Sequence, residues 1–243
     1  MMEMRFGGYL YETHVHTSEG SACARNTGAE MARAYAEAGY TGIIVTDHFF
    51  YGNTAVDRSL PWGLWVEQYC LGYERAKEEG DKLGLQVFFG WESSYRGTDF
   101  LVYGLDEKWL LEHPEIRDAT VEEQERLVHE GGGIISQAHP FREAGYIPEI
   151  RTFPDFVDAV EGMNASHSSL VLQSRHPEYN DRALDLAKEH DLPLTAGSDQ
   201  HSVRMLWGGM VFPRKLTDVH DFGRAVLNRE AVRLLDGTEV LAR

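Results

Sequence analysis

Two histidines one residue apart, His14 and His16, lie near the end of the stretch Tyr9-Leu-Tyr-Glu-Thr-His14-Val-His16-Thr17. Side chains two apart on a strand face the same way, so the two imidazoles stand together at the C-terminal end of a first strand. That is half of a metal site. A lone His-x-His is more often a pair of surface histidines, but here the arrangement recurs. His48 follows the apolar run Gly42–Thr46, Glu92 follows Leu85–Phe89, and Asp99 opens Phe100–Tyr103. His139 follows Gly133–Ala138, and Asp199 and His201 follow Leu192–Ala196. A ring of imidazoles and carboxylates suits Zn, Mn or Fe. A carboxylate such as Glu92 can bridge two cations, and two metals about 3.5–4 Å apart can hold a hydroxide and stabilise in-line displacement at phosphorus.

Alternating strands and helices must position these residues. Thr27-Gly-Ala-Glu30 reads as a capping box, opening a helix through Met31, Tyr35 and Ala38 that stops at Gly39. A helix is expected over about 66–83. A second capping box, Thr120 with Glu123, starts a helix ending at Gly131–Gly133. Phe156–Val160 reads as a sixth strand, Asn180–His190 as a helix, and Met210–Phe212 and Asp218–Leu227 as a closing strand and helix. This alternation implies a parallel sheet with right-handed crossovers. With this many β-α units a closed barrel is expected, an open doubly wound sheet being the runner-up. In a barrel the active site lies at the C-terminal strand ends, where most of the candidates fall.

The chain has 243 residues, with 23 Lys+Arg against 39 Asp+Glu and a formal charge of −16. So acidic a surface repels phosphate backbones and anionic membranes. No long nucleic acid and no membrane is expected as partner. The two cysteines, Cys23 and Cys70, have no metal-binding spacing and give no disulfide framework. With no apolar signal-peptide core at the N-terminus, a cytoplasmic location is expected.

Taken in order, His14-x-His16, Thr46-Asp47-His48, Glu92, Ala138-His139-Pro140 and Gly197-Ser-Asp199-x-His201 resemble the motifs of the PHP family, named for polymerase and histidinol phosphatase. The resemblance spans almost the whole chain and implies a single domain over residues 1–243. Its fold would be α/β, a distorted (β/α)7 TIM-like barrel, with two or three divalent metal ions and phosphoester hydrolysis. It places His14, His16, Glu92 and Asp199 on one metal, and Glu92 and His139, with Asp99, on a second. His48 and His201 face a third. Two departures bear on that third position: the loop Ser18–Ala22 lacks a histidine found in many relatives, and Asp99 stands where histidine is common.

The expected activity is hydrolysis of a small phosphorylated substrate, with His201 or a metal-bound water protonating the leaving group and Arg142 contacting phosphate. The alternative for Arg142 is a structural ion pair with Glu143 or a neighbour. Arg25 and Arg204 are weaker candidates. Asp47 would orient a ligand histidine or cap its loop. Asn164 and His167 fit a satisfied polar loop better than a substrate contact. Phe49–Asn53 with Trp62 and Trp65 form either an apolar wall or loop packing. The remaining histidines, at 113, 129, 176, 190 and 220, should be solvated. Histidinol phosphatase and nucleotide or oligonucleotide hydrolysis are the enzymatic options. A C–N hydrolase is the nearest different chemistry, though no lysine stands at a strand end to bridge metals. A non-catalytic metal module is the remaining class.

Overall fold

The apolar runs form the strands and the capped segments form the helices in a computed structural model, which describes residues 5–239. In chain order the elements are β1 (Tyr9–Val15), α1 (Gly28–Ala38), β2 (Gly42–Val45), α2 (Trp62–Leu83), β3 (Gln86–Tyr95), β4 (Thr98–Tyr103), α3 (Glu107–Glu112), α4 (Val121–Glu130) and β5 (Ile134–Gln137). They continue with β6 (Ala159–Asn164), α5 (Ala165–Ser168), α6 (Pro177–Glu189), β7 (Leu194–Gly197), β8 (Gly208–Phe212), α7 (Val219–Leu227) and β9 (Arg233–Asp236). Both capping boxes form as read: each threonine accepts from the third helical N–H while the glutamate at that position returns a bond.

Among the described residues the strands make one sheet in the order β7-β6-β5-β4-β3-β2-β1-β8-β9. Its two ends nearly meet. After β7 the chain crosses to β1, where His16 N–H donates to the Gln200 carbonyl (2.9 Å) and Gln200 N–H to the His14 carbonyl (3.1 Å). The result is a mixed α/β fold with a nearly closed, barrel-shaped sheet. Closure at this point sets the residues after β7 beside the two histidines of β1.

The sheet is not wholly parallel, which corrects the sequence expectation. β3 and β4 form an antiparallel hairpin, β4 pairs antiparallel with β5, and β8 runs antiparallel to both β1 and β9. The hairpin turns at Arg96 and Gly97, both at positive φ, a conformation glycine adopts without steric cost. β3 consequently runs on to Tyr95, so Glu92 sits inside the strand rather than after it. No α-helix separates β5 from β6. Pro154–Phe156 makes a short 3-10 turn instead, and β6 starts at Ala159, later than expected. β7 starts at Leu194 because Pro193 has no N–H for the ladder. α2 begins at Trp62, next to Pro61, four residues before the apolar period becomes clear.

Phe49, Trp65, Tyr69 and Trp91 are buried together, with Phe49 edge-on to Trp65 (5.2 Å) and Tyr69 (5.6 Å). Trp62 stacks on Trp65 at 5.4 Å and donates its indole N–H to the Leu110 carbonyl at 2.8 Å. The aromatic segment is therefore core packing, and the reading as an open apolar wall gives way to it. No helix among the described residues is long and apolar enough to cross a membrane.

Helices α1 and α2 approach so closely that a Cβ on Gly28 would meet the Gly72 carbonyl, and one on Gly72 would meet the Thr17 hydroxyl. Gly72→Ala is expected to cost about 1–3 kcal/mol by overpacking. A urea midpoint equal to wild type would contradict this close crossing.

Candidate metal centre

Three side chains of β1 and its end share one face by the two-residue period: Glu12, His14 and His16, all fully buried. Hydrogen bonds fix what each presents. His14 Nδ1 lies 2.9 Å from Glu161 Oε1. An ionised carboxylate only accepts, so Nδ1 carries a proton and Nε2 faces the cluster, where a cation would take its lone pair in place of a second proton. His16 Nδ1 lies 3.0 Å from Ser21 Oγ. That hydroxyl already donates to Asp47 (2.7 Å), so it accepts from Nδ1–H, and Nε2 is bare. His201 Nδ1 lies 2.8 Å from the Asp199 carbonyl, which leaves a third Nε2 free. Such outward hydrogen bonds are how metal-ligating histidines are oriented.

All eight positions read from the sequence as metal ligands come together. Glu92 lies at the centre, its oxygens 3.3 Å from His14 Nε2, 3.6 Å from His16 Nε2, 2.6 Å from His48 Nδ1 and 3.0 Å from His139 Nε2. Asp199 Oδ1 is 2.9 Å from His16 Nε2 and 3.4 Å from His14 Nε2. Ligand atoms of Glu92, Asp99 and His139 fall within 4.8 Å of one another, as do those of His16, His48 and His201. Yet His14 Nε2, His16 Nε2, His48 Nδ1, Glu92 Oε2 and Asp199 Oδ1 are buried without a hydrogen-bond partner. Buried polar atoms are rarely left so. Atoms at short range but misaligned for proton sharing fit a bound cation, and the N/O donor set is of the right kind.

The electrostatics agree. Burial opposes charge on Glu92, yet the His48 and His14 charges hold its carboxyl well below the usual range. Burial likewise opposes charge on Asp199, but Arg142 and His14 keep it ionised. His14 would be neutral by burial alone; Glu161, Asp199 and Glu92 push its pKa well up. His16 is pushed down by burial and by His201 and His48. Burial and the Glu92 charge raise Asp99, whose Oδ1 takes a 2.5 Å hydrogen bond from Ser94. Two candidate ligands sit at positive φ, His139 at 27° and Asp199 at 53°, a backbone cost of about 1–3 kcal/mol each, of the kind that clusters at functional sites.

Other sequence candidates sort clearly. Arg142 pairs with Asp199 Oδ2 at 2.6 Å and also donates to Ser166 Oγ (2.9 Å) and His167 Nε2 (3.1 Å). Its expected alternative partner, Glu143, pairs with Arg182 instead. Asp47 accepts from Thr17 N–H and Oγ–H, both at 2.6 Å. It therefore clamps the loop and reaches His16 only through Ser21. His167 and Asn164 are satisfied polar groups, His167 against Asn180 at 3.0 Å and Asn164 Nδ2 donating to Glu161 at 2.9 Å. The Arg204 guanidinium bonds the Val171 carbonyl. His129, His176, His190 and His220 are exposed and His113 half-buried.

Sequence reading missed three residues. Glu161 orients His14 and also accepts the His139 N–H at 2.9 Å. Glu12 is fully buried, its carboxyl raised by burial to about 7 against hydrogen bonds from Ser198 and the His14 N–H. Both were findable: Glu12 lies two residues before His14, and Glu161 ends an apolar run as the other candidates do. Cys23 carried no signal in sequence. The His201 and His48 side chains beside its thiol together outweigh burial and lower its pKa to about 6.

A family model described as PHP-associated matches residues 177–231, which include Asp199 and His201. No curated protein matches the chain. Among solved structures, a two-domain protein from Bacteroides vulgatus, said to contain a predicted PHP-like metal-dependent phosphoesterase, superposes with a TM-score of 0.65 at 13% identity, over 93% of this chain and 65% of its own. The likeness to this structure shows a shared, PHP-like fold. Two further structures share the PHP-like fold. One, from Bifidobacterium adolescentis and described as a possible metal-dependent phosphoesterase, has a TM-score of 0.56 at 16% identity, covering 90% of this chain and 96% of its own. The other is an amidohydrolase from Chromobacterium violaceum with sulfate bound and no metal, with a TM-score of 0.53 at 15% identity, covering 79% and 87%.

Glu161→Gln should weaken metal binding about 10–100-fold while leaving the fold intact, as calorimetric titration would read; wild-type affinity would remove Glu161 from this role. In chelator-treated protein, Cys23 should become alkylatable as pH rises through about 6, where its thiolate forms. Buried Cys70, its thiol pushed above the ordinary range by burial, should stay inert. A Cys23 midpoint near the ordinary thiol value would contradict the influence of the two imidazoles.

Proposed function

We propose that the protein hydrolyses a phosphoester of a small phosphorylated metabolite. The observation that carries this reading is the buried cluster of bare imidazole nitrogens and carboxylate oxygens with one guanidinium, Arg142, on its rim. Divalent cations held by His14, His16, Glu92, Asp99, His139 and Asp199 would supply Lewis-acid neutralisation of phosphate charge and lower the pKa of water.

The chain's own residues do the rest. Arg142 offers paired N–H donors that match phosphate oxygens. It is already desolvated, its side chain 17% exposed, and held by Asp199, Ser166 and His167. Little side-chain entropy remains to be lost when substrate arrives. His201 stands at the mouth with 29% of its side chain exposed. Burial lowers its pKa, but the Asp199 charge, the Cys23 side chain and the Asp199 carbonyl together raise it above the ordinary histidine value, which favours a proton on its ring. In the two-cation form it can hand that proton to the leaving alkoxide. Glu161 and Ser21 keep the His14 and His16 rings from turning. A charge of −16 over the chain favours a small, locally held anion over a polyanion.

The likeness to an amidohydrolase keeps C–N hydrolysis as the second reading. Manganese-reloaded protein should release phosphate from a panel of phosphomonoesters that includes histidinol phosphate and nucleoside monophosphates, and a chelator should stop it. Silence from a metal-loaded protein on this panel, with turnover of amides, would favour the second reading. Arg142→Lys should lower kcat/KM about 10–100-fold, the worth of a charged hydrogen bond, with metal content unchanged. Unchanged kcat/KM would take Arg142 out of substrate binding.

A further inference from the structure

Behind Arg142 lies a histidine to which the proposed reaction gives no task. His167 sits in α5, just after β6, buried and edge-on to the Tyr179 ring at 5.2 Å. Its tautomer follows from its neighbours. Asn180 of α6, also buried, accepts the Asn164 N–H on Oδ1 at 3.1 Å, so that atom is the amide oxygen. Asn180 Nδ2 donates to the Asn164 carbonyl (3.2 Å) and to Ser168 Oγ (3.0 Å), which fixes the amide the same way round. His167 Nδ1 lies 3.0 Å from the amide oxygen and must donate to it. Its Nε2 lies 3.1 Å from Arg142 Nε. A guanidinium offers donors only and does not lose its proton, so Nε2 is the acceptor. Burial and the Arg142 charge agree, pushing the His167 pKa down to about 3.

We infer that His167 is a positioning residue: held by Asn180 with its Nε2 lone pair toward Arg142, it sets the guanidinium that meets the substrate phosphate. This rests on the phosphoester reading and deepens it. Arg142 is grasped at all three nitrogens, Nε by His167, Nη1 by Asp199 (2.6 Å) and Nη2 by Ser166 (2.9 Å). Each of the two Nη atoms carries a second N–H, and the plane set by the three bonds decides where that pair points. The Nε bond is made to a ring that Tyr179 and Asn180 keep from turning. A neutral acceptor at this point also leaves the guanidinium charge for the phosphate, where a second carboxylate would offset it.

Inorganic phosphate is the probe, titrated calorimetrically into the manganese-reloaded full chain. Two isosteres separate the two bonds of the ring. In His167→Asn the amide nitrogen keeps a donor for Asn180, but nothing reaches Arg142. Phosphate binding should weaken about tenfold, the low end for a hydrogen bond to a charged group, with manganese content unchanged. In His167→Gln the side-chain oxygen stands near the place of Nε2 and should recover most of that affinity. Combined with Arg142→Lys, which has no Nε–H, His167→Asn should cost nothing further, a coupling that a path through Arg142 requires. Unchanged affinity or lost manganese in His167→Asn, equal losses in the two isosteres, or a full further loss beside Arg142→Lys would overturn the role of His167 alone. Wild-type protein that holds manganese but no phosphate would overturn the phosphoester reading beneath it.

Discussion

Glu92 is fully buried with four imidazoles within 3.6 Å of its carboxylate oxygens. A charge taken that far from water costs several kcal/mol unless paired, and the same holds for Asp199 and Glu161 around it. The barrel can hold these acids only because cationic groups face them. In the bare chain, protonated His14 and His48 and the Arg142 guanidinium provide that charge, as the opposed pKa shifts of these acids and bases indicate. Divalent ions would do so better, because they also satisfy the buried nitrogens and oxygens that lack hydrogen bonds.

Sheet closure makes this clustering possible. The bridge between β1 and the segment after β7 joins the first and last motifs of the chain, so residues almost two hundred positions apart share one face. Around the cluster a second layer fixes ring orientation: Glu161 behind His14, Ser21 behind His16, and the Asp199 carbonyl behind His201. Asp47 supports this layer from outside by holding Thr17 and Ser21. The close crossing of α1 and α2 at Gly28 and Gly72 presses the same loop into place. Stability and site geometry are therefore coupled through Thr17 and Asp47.

Much of this was legible in the sequence, and the reasons are local. His14 and His16 follow from strand periodicity, and the two capping boxes set their helix starts by backbone chemistry that needs no tertiary context. The positions at strand ends converge because a barrel collects those ends at one mouth. What was not legible depends on contacts distant in sequence. The β3–β4 hairpin replaces a helical crossover through a turn at Arg96-Gly97, in a stretch that reads as polar strand. β6 begins late because Pro154 diverts the chain. Arg142 chooses Asp199 over its neighbour Glu143 because the loop after β5 folds over the barrel mouth. Cys23 is invisible to spacing rules, since the imidazoles that act on it, His48 and His201, belong to other strands.

The central claim is that Glu92 joins two cations inside the barrel. Anomalous diffraction from crystals soaked in manganese tests it most directly. The account predicts separate anomalous peaks on either side of the Glu92 carboxylate, one against His14, His16 and Asp199 and the other against His139 and Asp99. A fully soaked crystal with no peak at Glu92, its carboxylate still wrapped only by imidazoles, would contradict it.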